Sequence, residues 1–359
     1  MATFEQLLAE VERYVTETTD VPDGAVVVDV READERFLGV IAGAVLVPRG
    51  QLELRIEALV PERSTPIVVY CASGTRSKLA CASLAQLGYA NVSSLRGGFT
   101  AHRRAHPVTL PALSPERALR YARHLRLSEV GEAGQAAMLA AKVLLIGAGG
   151  LGSPAALYLA AAGIGTIGLV DDDVVDESNL QRQIAHSMAT VGMPKVESAA
   201  RALEGLNPDV RVVRHATRLD ASSVDALLDA YDLVVDGTDN FAARYVLNDA
   251  AVARNKTVVH ASISRFEGQA TVFRPRVGPC YRCLHPRPPA EGTAPACEEA
   301  GVLGVLPGVL GVIQATEAIK LVLGRGEPLV GRLLHYDALA MRFREFALAR
   351  DPRCPVCAW

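Results

Sequence analysis

Val143–Gln183 reads VLLIGAGGLGSPAALYLAAAGIGTIGLVDDDVVDESNLQRQ. A short apolar run, Val143 to Ile146, ends in glycines at 147, 149, 150 and 152. A helical run to Ala162 follows, then a second apolar run, Thr166–Val170, then three consecutive aspartates. The order is strand, glycine-rich turn, helix, strand, acid. That is the first half of a nucleotide-binding βαβ unit. Gly147 is expected to allow the tight turn, Gly149 to let a phosphate approach the backbone, and Gly152 to let the helix pack against the strand. Asp171 and Asp172 fall where a ribose-binding acid belongs. Taken alone, this stretch favours an ordinary NAD-binding dehydrogenase.

The residues beyond it change that reading. Ser178-Asn179-Leu180-Gln181-Arg182-Gln183 puts polar and cationic groups just past the second strand. Gly192-Met193-Pro194-Lys195 then opens a helix, and Tyr231–Val235 reads as a strand that ends in Asp236-Gly-Thr-Asp239-Asn240. One acid for a ribose, cations for phosphates and an acid at a strand end able to hold Mg²⁺ suit a triphosphate with its metal. No residues are set aside for a hydride acceptor.

GAGGLG, SNLQRQ, GMPK and GTDN together closely resemble the MoeB/ThiF branch of the ubiquitin-activating superfamily, over about residues 115–359. The resemblance implies an α/β fold with a doubly wound, mainly parallel, Rossmann-like sheet. It implies ATP-dependent adenylation of the C-terminal glycine of a small ubiquitin-like sulfur carrier, such as the small subunit of molybdopterin synthase. Gly150 and Asp171 are then expected to hold the adenosine part of ATP, within a nucleotide-binding set that includes Gly147, Gly149 and Gly152. Asn179, Arg182 and Lys195 are expected at its phosphates, with Asp173, Ser178, Leu180 and Gln181 completing the nucleotide set. Asp239 would bind Mg²⁺, with Asn240 beside it. Arg123 matches the family's arginine finger, which reaches into a partner subunit's site and so implies a homodimer.

Upstream, residues 4–17 have helical spacing, Ala25–Val30 is strand-like and Gln51–Leu59 helix-like. Pro66–Tyr70 reads as a strand that delivers Cys71, Ser77–Leu87 as a helix and Asn91–Leu95 as a strand. Such alternation suggests a small α/β domain with a parallel sheet. Cys71-Ala-Ser-Gly-Thr-Arg76 lies between a strand end and a helix start. Backbone N–H groups there cradle negative charge, so Cys71 is expected to work as a thiolate with Arg76 closing the cradle. Asp29-Val30-Arg31-Glu32, Gly43-Ala44, Cys71-x4-Arg76-Ser77 and Gly97-Gly98-Phe99 resemble a single rhodanese domain over about residues 1–105. The resemblance implies a persulfide on Cys71, loaded by an upstream donor such as a cysteine desulfurase. His102 departs from it, standing where a tryptophan is common. Cys81, inside the following helix, reads as core. Residues 106–114, HPVTLPALS, read as a linker, and Ser114-Pro115 as the start of a helix running through His124.

Seven cysteines, at 71, 81, 280, 283, 297, 354 and 357, are an odd number in a long chain and argue against a disulfide framework. Cys280-Tyr-Arg-Cys283 and Cys354-Pro-Val-Cys357 favour a tetrahedral zinc site of four thiolates, and the family resemblance implies a structural zinc there. Cys297 lies in the proline- and glycine-rich stretch Pro286–Glu299. The resemblance implies that it bonds the activated carrier or relays sulfur. His260 and His285 read as structural or solvated rather than as ligands. Val305–Leu323 reads as an apolar helix, Gly268–Phe273 and Val330–Tyr336 as strands, and Met341–Ala349 as an amphipathic tail.

Half the residues are hydrophobic, 21 % are charged and the net charge is −3, so no broad basic surface for nucleic acid is implied. No apolar run suggests a membrane span, and the acidic start does not resemble a secretory signal. The expectation is a cytoplasmic protein. Its carrier would end in Gly-Gly, and its product would be a C-terminal thiocarboxylate. The alternative is an activating enzyme for ubiquitin-like conjugation through a thioester.

Overall fold

The computed structural model describes residues 3–106, 113–289 and 301–358. It divides into two compact units, Met1–Ala122 and Arg123–Trp359. The division falls beyond the expected linker, so Pro115–Arg120 groups with the first unit.

The first unit is a five-stranded, all-parallel sheet with strand order β1-β5-β4-β2-β3. The strands are β1 (Thr16–Thr18), β2 (Val26–Asp29), β3 (Val45–Leu46), β4 (Ile67–Tyr70) and β5 (Val92–Leu95). The helices are α1 (Phe4–Val11), α2 (Leu52–Leu59), α3 (Thr75–Gln86), α4 (Gly98–Ala105) and α5 (Pro115–Arg120). Alternation along β2 and β4 splits the core into two faces. Val28, Ile67 and Val69 meet α2 and α3, while Val27, Val68 and Tyr70 meet Phe99 of α4. Cys81 is buried among the first set, and burial pushes its thiol up to about 12. Two expectations are corrected. The helix expected over 4–17 stops at Val11, because the β-branched residues Val15, Thr16 and Thr18 favour extended backbone and Thr16–Thr18 adds an edge strand beside β5 instead. The helix at Pro115 stops at Arg120, and His124–Arg126 forms a separate turn.

The second unit is an eight-stranded sheet, order β13-β12-β11-β10-β9-β6-β7-β8. Its parallel part is β6 (Lys142–Ile146), β7 (Thr166–Val170), β8 (Arg211–His215), β9 (Leu233–Asp236) and β10 (Thr257–Ser264). β11 (Glu267–Phe273), β12 (Arg332–Asp337) and β13 (Arg342–Ala347) continue it antiparallel. The amphipathic tail expected at 341–349 is thus largely this last edge strand. Its helices are α6 (Gly131–Ala140), α7 (Gly152–Ala162), α8 (Lys195–Leu206), α9 (Val224–Asp229), α10 (Phe241–Ala253), α11 (Tyr281–Leu284) and α12 (Leu306–Leu323). β6 is apolar on both faces, as a doubly covered parallel strand must be. Val143 and Leu145 pack with α7, α8 and α12, while Leu144 and Ile146 pack with α9 and α10. The 18 residues of α12 are long and apolar enough to cross a membrane by composition, which corrects the expectation that no segment is. Here α12 lies in the core, with Leu306, Leu310, Ala315 and Ala318 buried.

Chain order reverses direction between β6 and β9: β7 lies on one side of β6 and β9 on the other. Loops leaving the carboxyl ends of these two strands part there and leave a crevice, the usual ligand position in such sheets.

Candidate active sites

In the first unit, β4 delivers Cys71 to the foot of α3. The Cys71 Sγ accepts the Gly74 N–H at 3.1 Å and lies 3.6 Å from the Ser77 hydroxyl. Gly74 caps α3 in a left-handed conformation, φ +102°. The loop is braced from behind: the N–H groups of Phe99 and Thr100 donate to the carbonyls of Cys71 and Ala72 at 2.8 and 3.0 Å. Gly98 allows that approach, since a Cβ there would lie 2.5 Å from the Cys71 carbonyl oxygen. Beneath lies a buried ion pair. Arg31 donates to Asp29 through Nε at 2.9 Å and Nη2 at 2.8 Å, the Tyr70 hydroxyl donates to Asp29 at 2.8 Å, and the guanidinium covers the Phe99 ring at 4.1 Å. Burial opposes the charge on Arg31, but the Asp29 hydrogen bonds outweigh it and raise its pKa. Removing either partner would leave a buried charge, at about 3–5 kcal/mol.

Arg76 was expected to close the cradle. Its guanidinium stays within electrostatic reach of Cys71 and makes a two-pronged pair with Glu35 at 2.6 and 2.5 Å. Hydrogen bonding to Arg76 holds the Glu35 carboxyl below the usual carboxylate range, and Glu35 raises Arg76 in turn.

In the second unit, a cleft of about 270 Å³ opens at the ends of β6 and β9. It is lined by Gly147, Gly149, Gly150, Asp171, Asp173, Arg182, Lys195, Asp239 and Asn240, which brings most of the expected nucleotide set together. Gly152 lies beneath it, where a Cβ would lie 1.9 Å from the Gly147 carbonyl oxygen, so only glycine lets α7 start there. The Asp171 carboxylate accepts the N–H groups of Ala148 and Asp173 at 2.8 and 2.9 Å and so pins the glycine loop, while burial raises its pKa. Lys195 reaches Asp173 at 2.8 Å. Asn240 caps α10 by accepting the Ala243 N–H at 2.9 Å.

The rest of the expected set stands elsewhere. Ser178, Asn179, Leu180 and Gln181 do not line the cleft. The Asn179 side chain instead accepts the Asp176 N–H, and the Ser178 hydroxyl donates to Asp176. They shape the turn that presents Arg182. Arg123 is exposed and is not among the lining residues. Cys297 lies outside the described residues.

Three contributors have no motif to announce them. Arg244 lines the cleft from α10. His186, buried, ties the Ala148 carbonyl at 3.0 Å to the Ser198 hydroxyl at 2.9 Å, joining the glycine loop to the helix that carries Lys195. His260 is structural: its Nδ1 meets Asp236 at 2.7 Å, and Asp236 also accepts from the Thr238 backbone and hydroxyl at 3.0 and 2.7 Å. Asp236 thereby sets the turn leading to Asp239.

The four paired cysteines converge. Sγ separations are 4.0 Å for Cys280–Cys283, 3.7 Å for Cys280–Cys354 and 3.4 Å for Cys283–Cys357. Tetrahedral zinc with ~2.3 Å bonds needs sulfurs about 3.8 Å apart. All four ligand atoms lie within 4.8 Å of one another, so the donor set fits that ion in both geometry and softness. The Asp351 N–H donates to Cys283 at 3.4 Å, the kind of outer contact that orients a thiolate.

Comparison with known proteins agrees with this division. The ThiF family model matches residues 121–356, and the rhodanese-like domain model matches residues 10–105. The SAMP-activating enzyme E1 of Haloferax volcanii is 53 % identical over 66 % of this chain and 88 % of its own. The probable adenylyltransferase/sulfurtransferase MoeZ of Mycobacterium tuberculosis is 52 % identical over 69 % of this chain, a match spanning 65 % of its own length. The sulfur carrier protein adenylyltransferase of Thermus thermophilus is 49 % identical over 66 % of this chain and 90 % of its own. The chain therefore belongs to the ThiF family of adenylyltransferases and carries a rhodanese-like domain ahead of that region.

Proposed function

We propose that this protein uses ATP to adenylate the C-terminal glycine of a small ubiquitin-like sulfur carrier, then converts it to a thiocarboxylate with sulfur from a Cys71 persulfide. The observation that carries the reading is the cleft at the strand-order reversal, which gathers Gly149, Arg182, Lys195 and Asp239. A carboxylate attacking an α-phosphate meets like-charge repulsion, and the cations offset it at the reacting centre and on the departing pyrophosphate. Asp239 is the residue proposed to hold Mg²⁺, which when bound polarises the phosphate oxygens. The carrier carboxylate oxygen bonds to the α-phosphorus, and the bond to pyrophosphate breaks. The terminal sulfur of the persulfide then attacks the acyl carbon and AMP leaves. A reductant such as a second thiol next cleaves the resulting acyl disulfide, releasing the thiocarboxylate and leaving a disulfide between that thiol and the Cys71 sulfur.

The four-cysteine cluster is proposed to hold a structural zinc, tying residues 354 and 357 to α11. Arg123 is proposed to serve a second copy's cleft, as a homodimer would require, and a cysteine desulfurase is the proposed sulfur source. Free thiols and ATP use suit a cytoplasmic setting. The name of the Haloferax relative favours a second reading, activation for protein conjugation, in which the carrier would be passed to another protein through a thioester.

Carrier-dependent ATP–pyrophosphate exchange tests the first step. Arg182→Ala and Asp239→Ala are each expected to lower it about a hundredfold or more, the scale of losing one preorganised charge contact. Normal exchange in either variant would contradict the assignment.

A further inference from the structure

Arg244 lies one turn inside α10, the helix that starts just after Asp239 and Asn240. Helical side chains lean toward their own N-terminus. The guanidinium accordingly returns to the start of α10, where Nη2 donates to the Thr238 carbonyl at 2.7 Å. It is 8 % exposed and lines the cleft beside Asp239 and Arg182.

This is a costly place for a cation. The start of a helix carries the positive end of its dipole. Burial removes hydration that a charged group needs. The buried Nε has no hydrogen-bond partner. Among the described residues no carboxylate pairs with Arg244, and neighbouring Asp236 has its oxygens engaged by His260 and Thr238. A buried guanidinium with no paired carboxylate, at the wall of a cleft, is arranged to receive an anion.

The far end of α10 is fixed by the first cysteine pair. The Tyr281 N–H donates to Asn248 at 2.8 Å, and Arg282 makes a two-pronged pair with Asp249 at 2.7 Å. The Tyr281 ring stands edge-on to Tyr245 at 5.2 Å. The residues between Cys280 and Cys283 therefore clamp the helix that carries Arg244.

We propose that Arg244 is a further phosphate-binding residue of this cleft, taking an oxygen of the nucleotide's phosphate chain alongside Arg182 and Lys195. The proposal rests on the ATP reading above. Its test measures ATP affinity, zinc content and thermal melting of the full chain for wild type, Arg244→Gln and Arg244→Lys. Arg244→Gln is expected to weaken ATP binding about tenfold or more, the scale of a charged hydrogen bond, with zinc content and melting unchanged. Arg244→Lys keeps the charge without the fork and is expected to fall between. ATP binding equal to wild type in Arg244→Gln, or in Arg244→Lys should the first variant not fold, would overturn the proposal. So would a loss of ATP affinity that appears only together with lost zinc or lowered melting. If wild type itself bound no ATP, the nucleotide reading would fall instead.

Discussion

The Cys71 loop and the Gly147–Gly152 loop are built alike, but the arginines beside them are paired differently. Each follows a parallel strand, each opens a helix, and each depends on a glycine against which no side chain fits. In the first, Arg76 is met by Glu35 and Arg31 by Asp29. In the second, Arg182 and Arg244 face the cleft with no carboxylate paired to either among the described residues. The same backbone device thus serves two ends. A charge-balanced cradle suits a compact sulfur nucleophile. A cleft that keeps two arginines free of carboxylates, with Lys195 held on Asp173, suits a triphosphate and its metal.

The largest test of that likeness lies in the glycines. Gly152→Ala puts a Cβ into the Gly147 carbonyl and is expected to abolish pyrophosphate exchange while leaving sulfur transfer from Cys71 to a small acceptor such as cyanide intact. Gly98→Ala, at φ +59° and against the Cys71 carbonyl, is expected to do the reverse. Measuring both activities in both variants checks this, and a variant that loses both would break the comparison.

A smaller effect tests the charge difference. Glu35→Gln frees Arg76 and is expected to lower the KM for a small anionic donor such as thiosulfate about three- to tenfold, leaving adenylation unchanged. An unchanged KM would mean the pair does not tune the loop. The pair itself is partly exposed and contributes below about 1 kcal/mol. Because the Glu35 pKa is lowered by folding, that contribution is present above its unfolded value and fades as pH falls through the folded one.

What the residues announced in advance follows from how local the signal is. The glycine loops, Asp171, Arg182 and the paired cysteines are read from short spacings, and the fold brings each to the expected neighbourhood. Asn179 carries the same kind of motif, yet its side chain serves a turn. Arg244 was missed because a lone arginine in a helix has no distinguishing pattern; only burial beside Thr238 reveals it. His186 and His260 act through contacts 12 and 24 residues away, which no window of sequence displays. The edge strands β1 and β13 are short or exposed throughout, so hydrophobic periodicity barely marks them.

The central claim is that the two cradles act in series on one carboxylate. Mass spectrometry of a Gly-Gly-ended carrier, incubated with ATP and a persulfide donor, tests it most directly. With wild type, the carrier is expected to gain sulfur in place of one C-terminal oxygen. With Cys71→Ser, the carrier is expected to stop at the adenylate with no sulfur gained. Sulfur incorporation that persists in Cys71→Ser would contradict the account.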